Sequence, residues 1–114
     1  MRVIVCGGRD FNNRGLVFGF LGEFHAETPI THLIEGGAKG VDALAREWAC
    51  VNNIKSTTCI ADWKLYGRGA GPVRNQKMLE MEPECVIAFA GGSGTEDQVR
   101  RAIQKGINVI RVSG

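Results

Sequence analysis

Five short apolar runs punctuate the chain at regular intervals: RVIVC (2–6), THLIE (31–35), KSTTCI (55–60), ECVIAF (84–89) and INVIRV (107–112). The first, fourth and fifth are almost continuously apolar and rich in β-branched residues, the pattern of strands covered on both faces. Ser56, Thr57 and Thr58 make the third too polar for the middle of a sheet, so it is expected at an edge. Between the runs, apolar residues recur at helical spacing. They are Leu16, Phe20 and Phe24 in 13–26, then Val41, Leu44, Ala45 and Trp48 in 39–52. Val73, Met78, Leu79 and Met81 follow in 72–82, and Val99, Ala102 and Ile103 in 95–105. Strand and helix alternate throughout, which predicts an α/β fold with three layers: a mainly parallel five-stranded sheet between helices, joined by right-handed crossovers.

No linker, repeat or low-complexity tract interrupts the pattern, so residues 1–114 are expected to form a single domain. An apolar fraction of 44% and a charged fraction of 23% are those of an ordinary soluble chain, with no run of the 18 or more apolar residues a membrane span requires. The first strand-like run starts at Met1 without a charged leader, and a cytoplasmic location is the expectation. Cys6, Cys50, Cys59 and Cys85 stand singly in apolar segments, read as small buried hydrophobes, with only His25 and His32 to join them. No metal site and no cofactor are expected. A net charge of +2 is too small to imply nucleic acid, though it leaves room for a local anion site.

The glycines are distributed unevenly. In an open parallel sheet, ligands bind outside the carboxyl ends of the strands. The segments that follow the first four strands are GGRDF (7–11), EGGAKGVD (35–42), ADWKLYGRGAGPVRN (61–75) and AGGSGTEDQ (90–98). The connections at the opposite end, such as EFHAETPI (23–30) and VNNIK (51–55), lack paired glycines. Glycine lets backbone amides approach a ligand, and the helix that follows offers unpaired N–H groups and the positive end of its dipole. Tight turning alone would explain one such loop; four at one edge favour a phosphate site. Gly-x-Gly-x-x-Gly does not follow the first strand and no Gly-Lys-Ser/Thr is present, which disfavours a dinucleotide dehydrogenase and a P-loop ATPase.

GGRDF, EGGAKGVDALAREWA (35–49), ADWKLYGRGAGPVRNQKML (61–79) and IAFAGGSGTEDQVRRAIQKGI (87–107) together resemble the YspA/YpsA-related branch of the SLOG superfamily, named for the Smf/DprA proteins and the LOG enzymes. The likeness covers nearly the whole chain, with four motifs in order. It implies a Rossmann-like domain that binds nucleotides or nucleotide-derived signals such as ADP-ribose. LOG enzymes are phosphoribohydrolases with the motif Pro-Gly-Gly-x-Gly-Thr-x-x-Glu. Here Ala90 replaces the proline and Gln98 the glutamate. A neutral amide cannot act as a general base, and neighbouring Glu96 and Asp97 are rotated by about 100° per residue on a helix expected to start near Thr95.

The candidate ligand-binding residues are Gly7, Gly8, Arg9, Asp10, Gly36, Gly37, Lys39, Asp42, Asp62, Trp63, Arg74, Asn75, Gly91, Gly92, Ser93, Gly94 and Thr95. Arg74, near the start of a helix and at the position of an arginine in LOG-like sequences, is cast as a forked phosphate contact, with Asn75 beside it for a base or ribose. Arg9 would clamp a phosphate. Asp10 either meets a ribose hydroxyl or caps the next helix. Asp42 either meets the ligand or pins loops, and Lys39 is a phosphate neighbour or a solvated lysine. Trp63 either stacks on a base or packs under its own loop. Thr95 is a helix N-cap or a hydroxyl donor, and Ser93 lacks the partners of a nucleophile. Trp48 reads as core, and His25 and His32 fall at the wrong end of the sheet.

The leading expectation is a binder of a phosphorylated nucleotide or nucleotide-derived signalling molecule, acting as a sensor or sequestering protein with no established catalytic residue. Hydrolysis of a nucleotide through Asp10, Asp42, Asp62 or Glu96 is the alternative, and DprA-like binding of single-stranded nucleic acid is the least favoured. Arg100, Arg101 and Lys105 read as a solvated basic face. Leu16, Phe18, Phe20 and Phe24 exceed what one helix face needs, which, with the family likeness, predicts a homodimer or larger assembly.

Overall fold

In the computed structural model, which describes residues 1–113, the elements are β1 (Arg2–Cys6), α1 (Arg14–Glu27), β2 (His32–Glu35), α2 (Val41–Val51), β3 (Lys55–Thr58), α3 (Trp63–Tyr66), a 3-10 turn (Gly67–Gly69), α4 (Ala70–Glu80), β4 (Cys85–Ala88), α5 (Ser93–Gln104) and β5 (Asn108–Arg111). All five predicted strands and all four predicted helices are present. The short α3 and the turn after it were not anticipated, since four residues carry no periodic signal.

The sheet is parallel throughout, in the order β3-β2-β1-β4-β5. The polar β3 is an edge strand, and His32 Nε2 meets Thr57 Oγ1 across its only paired side at 2.6 Å. Strand alternation divides the interior in two. Val3 and Val5 of β1 and Ile87 at β4 face α1 and α2, packing with Val17, Leu21, Val41, Ala45 and Trp48. Ile4, Cys6, Val86 and Ala88 face α4 and α5, packing with Met78, Leu79, Val99 and Ala102. The chain therefore forms the three layers predicted, a Rossmann-like α/β fold.

Local chemistry sets the helix ends. Asn13 caps α1, its side chain accepting from the Leu16 amide, so the helix does not need Asp10. Pro72 lies in the first turn of α4, where its missing N–H costs nothing. Helix α5 begins at Ser93 rather than near Thr95, with Gly92 at its N-cap; Thr95 is buried in the first turn and is not the cap. Phe20 and Phe24 stack on each other and Phe20 meets Phe89 edge to face, while Phe18 lies under the Arg14 guanidinium. Leu16, Phe18, Phe20 and Phe24 thus pack against the chain's own core, and the apolar side chains left exposed include Ile60, Trp63, Leu65 and Tyr66. Cys6 and Cys85 are buried and Cys59 is half-buried, but Cys50 is exposed. No helix among the described residues is long and apolar enough to cross a membrane.

Candidate functional site

Strands β1 and β4 lie side by side, but their following helices go to opposite faces. The loops after them therefore part at the carboxyl edge, the position at which an open α/β sheet leaves a crevice. Two backbone bonds seam the strands just below it, Phe89 N–H to Cys6 O at 2.9 Å and Gly8 N–H to Ala90 O at 2.8 Å. Above the seam is a cavity of about 530 Å³.

Thirteen of the seventeen predicted residues line it: Gly7, Arg9, Asp10, Gly36, Gly37, Asp42, Trp63, Arg74, Asn75, Gly92, Ser93, Gly94 and Thr95. The other four do not, each for a visible reason. Gly8 and Gly91 are committed to holding the loops together: a Cβ on Gly91 would run into the Thr95 side chain and the Gly8 amide. Asp62 turns away to cap α3, accepting from the Leu65 amide at 3.0 Å. Lys39 is exposed, outside the lining. Trp63, 56% exposed, is on the cavity wall rather than packed under its loop.

The lining also holds residues the sequence did not single out, among them Cys6, Ala38, Ile60, Ala61, Arg68 and Met78. Arg68 was recognisable in the glycine-rich GRGAG stretch, but only the 3-10 turn carries it to the cavity.

The helix N-termini differ in capping, and α3, whose Trp63 lines the cavity, is capped by Asp62. Helix α1, away from it, has a side-chain cap; α2, α4 and α5, which open onto it, start at Gly40, Gly69 and Gly92 with no side-chain cap bond. The first amide of α2 donates to Gly8 O at 3.3 Å and that of α4 to Gly67 O, and Pro72 has no N–H, so the free first-turn donors facing the cavity come chiefly from Ser93–Thr95 of α5. Between the starts of α2 and α5 lies Arg74, whose Nη1 donates to Gly36 O at 2.6 Å and whose Nε donates to Asn75 Oδ1 at 2.9 Å. Asn75 is buried and donates on to Gly94 O and to Asp97 Oδ2. Arg74 is therefore held directly by the loop after β2 and, through its neighbour Asn75, from the first turn of α5. A Cβ on Gly36 would collide with that guanidinium, which explains the glycine there.

Two buried carboxyls lie here, Asp42 in the cavity lining and Glu35 outside it. Glu35, at the end of β2, is fully buried, a carboxyl that the apolar run around it concealed. Its oxygens accept from the Gly37 amide at 2.7 Å and from the Thr58 hydroxyl, with Arg46 Nη1 at 3.8 Å. Asp42, 6% exposed, accepts from the Ala38 amide at 3.2 Å, so it does pin its loop. Burial pushes the Asp42 carboxyl up to about 6, against the Ala38 hydrogen bond; Glu35 pushes the same way and Arg74 opposes. Burial likewise pushes the Cys6 thiol up to about 12, which makes it a neutral wall.

The remaining sequence candidates lie elsewhere. Glu96 is held on the surface by Arg111, whose hydrogen bond lowers its carboxyl below the usual range. Arg100 and Arg101 both bind Asp97, and Lys105 donates to Leu79 O, so the basic stretch of α5 is engaged with its own chain. Gln98 is fully buried, outside the cavity lining, and neither amide atom has a hydrogen-bond partner among the described residues. His25 accepts from the Ile30 amide at the opposite end of the molecule. No cluster of metal-ligating side chains occurs among the described residues.

Gene 61 protein of Mycobacterium phage D29 is 32% identical over 117 aligned residues, covering 96% of this chain and 94% of that protein. The structure of DNA processing protein A (DprA) from Streptococcus pneumoniae superposes with a TM-score of 0.80 at 22% identity over 99% of this chain, so the two share a fold. This chain spans 50% of that DprA chain. A family model described as YAcAr, the YspA, cpYpsA-related SLOG family, matches residues 1–66, and together with the phage relative it shows that the chain belongs to this family.

Proposed function

We propose that the chain binds a phosphorylated nucleotide or nucleotide-derived molecule in this cavity and releases it unchanged, as a sensor or sequestering protein does. The observation that carries the reading is the convergence of the uncapped starts of α2 and α5 on one cavity, with the Arg74 guanidinium oriented between them. Backbone donors, the positive ends of helix dipoles and a guanidinium are the elements of a phosphate site. Arg9 and Arg68 on the walls add positive charge, and Ile60 and Trp63 offer an apolar surface suited to a planar ring. SLOG membership supports a nucleotide over a simple phosphate.

Calorimetric titration against ADP-ribose, cyclic dinucleotides and nucleoside monophosphates tests the reading, with chromatography of the recovered ligand. The expected result is saturable binding of at least one, recovered intact, and a loss of about 1.5–3 kcal/mol in Arg74→Ala from the missing charged hydrogen bonds. A folded protein that binds none of them overturns it. Recovery of cleaved ligand would favour hydrolysis, for which Asp10 and Asp42 are the carboxyls on the cavity wall. Binding of single-stranded DNA with a steep salt dependence would favour the nucleic-acid reading, which the engaged arginines of α5 do not support.

A further inference from the structure

We propose that anion binding in the cavity is coupled to proton uptake by Asp42, so that the site fills as pH falls and empties as it rises. This rests on the anion-binding reading above and adds a regulation to it. Asp42 lies in the first turn of α2, and nearly all of its surface is covered; what remains faces the cavity.

In its charged form the carboxylate opposes a bound anion in two ways. It holds negative charge against the cavity, and its Oδ2 takes the amide of Ala38, a residue of the loop before α2 that lines the cavity. A proton on Asp42 removes the charge and loosens its hold on that amide. Both effects favour the anion when Asp42 is protonated.

The surrounding groups keep the titration in an accessible range. Glu35 from β2 faces Asp42 and raises its proton affinity; Arg74 from α4 and the Ala38 and Gly36 amides lower it; burial exceeds them all, and the carboxyl reaches about 6. Cys6 from β1 stays a neutral thiol. Arg9 and Asp10 from the loop after β1, and Arg68 from the 3-10 turn, complete the charged wall, while α5 contributes only its amides and the hydroxyls of Ser93 and Thr95.

Sulfate is the suitable probe, because its charge does not change where Asp42 titrates, whereas a phosphate monoester ionises near about 6 itself. Sulfate affinity should weaken about tenfold per pH unit above about 6 until the affinity of the ionised form is reached. Calorimetry in buffers of different ionisation enthalpy should show uptake of up to one proton. Asp42→Asn should give a flat profile and bind at neutral pH as tightly as the parent does in acid.

Reciprocity supplies a test in the unaltered protein: saturating sulfate should raise the midpoint of the Asp42 carboxyl in a carbon NMR titration. A flat sulfate profile, or an Asp42 midpoint that sulfate does not move, overturns the coupling and leaves the anion site standing. Failure of sulfate to shift the Ser93–Thr95 amides at any pH overturns the anion site and the coupling with it. Should the Asn variant not fold, the NMR titration decides alone.

Discussion

Gln98 shows how much a single buried residue can carry without a visible partner. Its amide is removed from water with no hydrogen-bond partner for either heteroatom among the described residues. Such a group costs about 1–3 kcal/mol relative to a satisfied or apolar one. Gln98→Met keeps the length of the side chain and is expected to stabilise the protein by about 1–2 kcal/mol in urea denaturation. A destabilised variant would instead reveal a bound water that the amide serves. Two buried aspartates act in opposite senses. Burial pushes Asp97 up, but hydrogen bonds from Asn75 and Arg101, with the charges of Arg101 and Arg100, outweigh it and hold the carboxyl below its ordinary value. Asp42 is raised to about 6. Since the unfolded chain releases that proton near about 3.9, the Asp42 contribution is full below that value and is lost as pH rises through 6. Asp42→Asn should therefore raise the melting temperature at neutral pH, by the equivalent of up to about 2–3 kcal/mol, with the gain vanishing near about pH 4.

At the scale of elements, the loops are governed by close approach as much as by flexibility. Gly40 has φ of +74°, and a Cβ there would strike the Gly8 carbonyl of the loop after β1. Gly40→Ala is expected to cost at least about 2 kcal/mol and to displace the start of α2, weakening ligand binding as well; thermal unfolding and calorimetry together check both. The strands and the four longer helices were legible from RVIVC, ECVIAF and the spaced apolar residues between them, because periodicity is a local property. Even the edge position of β3 followed from Ser56, Thr57 and Thr58. The loops were legible only in outline. Paired glycines look alike in one dimension, yet Gly7 and Gly92 line the cavity while Gly8 and Gly91 tie the loops to each other.

Across the whole molecule, one sheet serves two apolar layers, and β1 and β4 contribute to both. Neither layer has a sheet of its own, so the two should lose structure together. Trp48→Ala in one layer and Leu79→Ala in the other are each expected to cost about 3–4 kcal/mol. Circular dichroism and fluorescence should nonetheless report a single coincident transition in both variants; separated transitions would mean that the layers fold independently. The same arrangement builds the cavity, since helices on opposite faces must start on either side of the β1–β4 seam.

The order of residues alone determined the α/β class, the parallel sheet and the crowding of glycine, arginine and aspartate at the carboxyl ends of the strands. Each follows from patterns a few residues long. Only the tertiary structure decided that Arg68 reaches the cavity, that Asp62 caps a helix, that Gln98 is enclosed and that the Asp42 carboxyl is raised to about 6. Those outcomes depend on burial and on charges brought together from β2, α2 and α4, distances that no local stretch of sequence encodes.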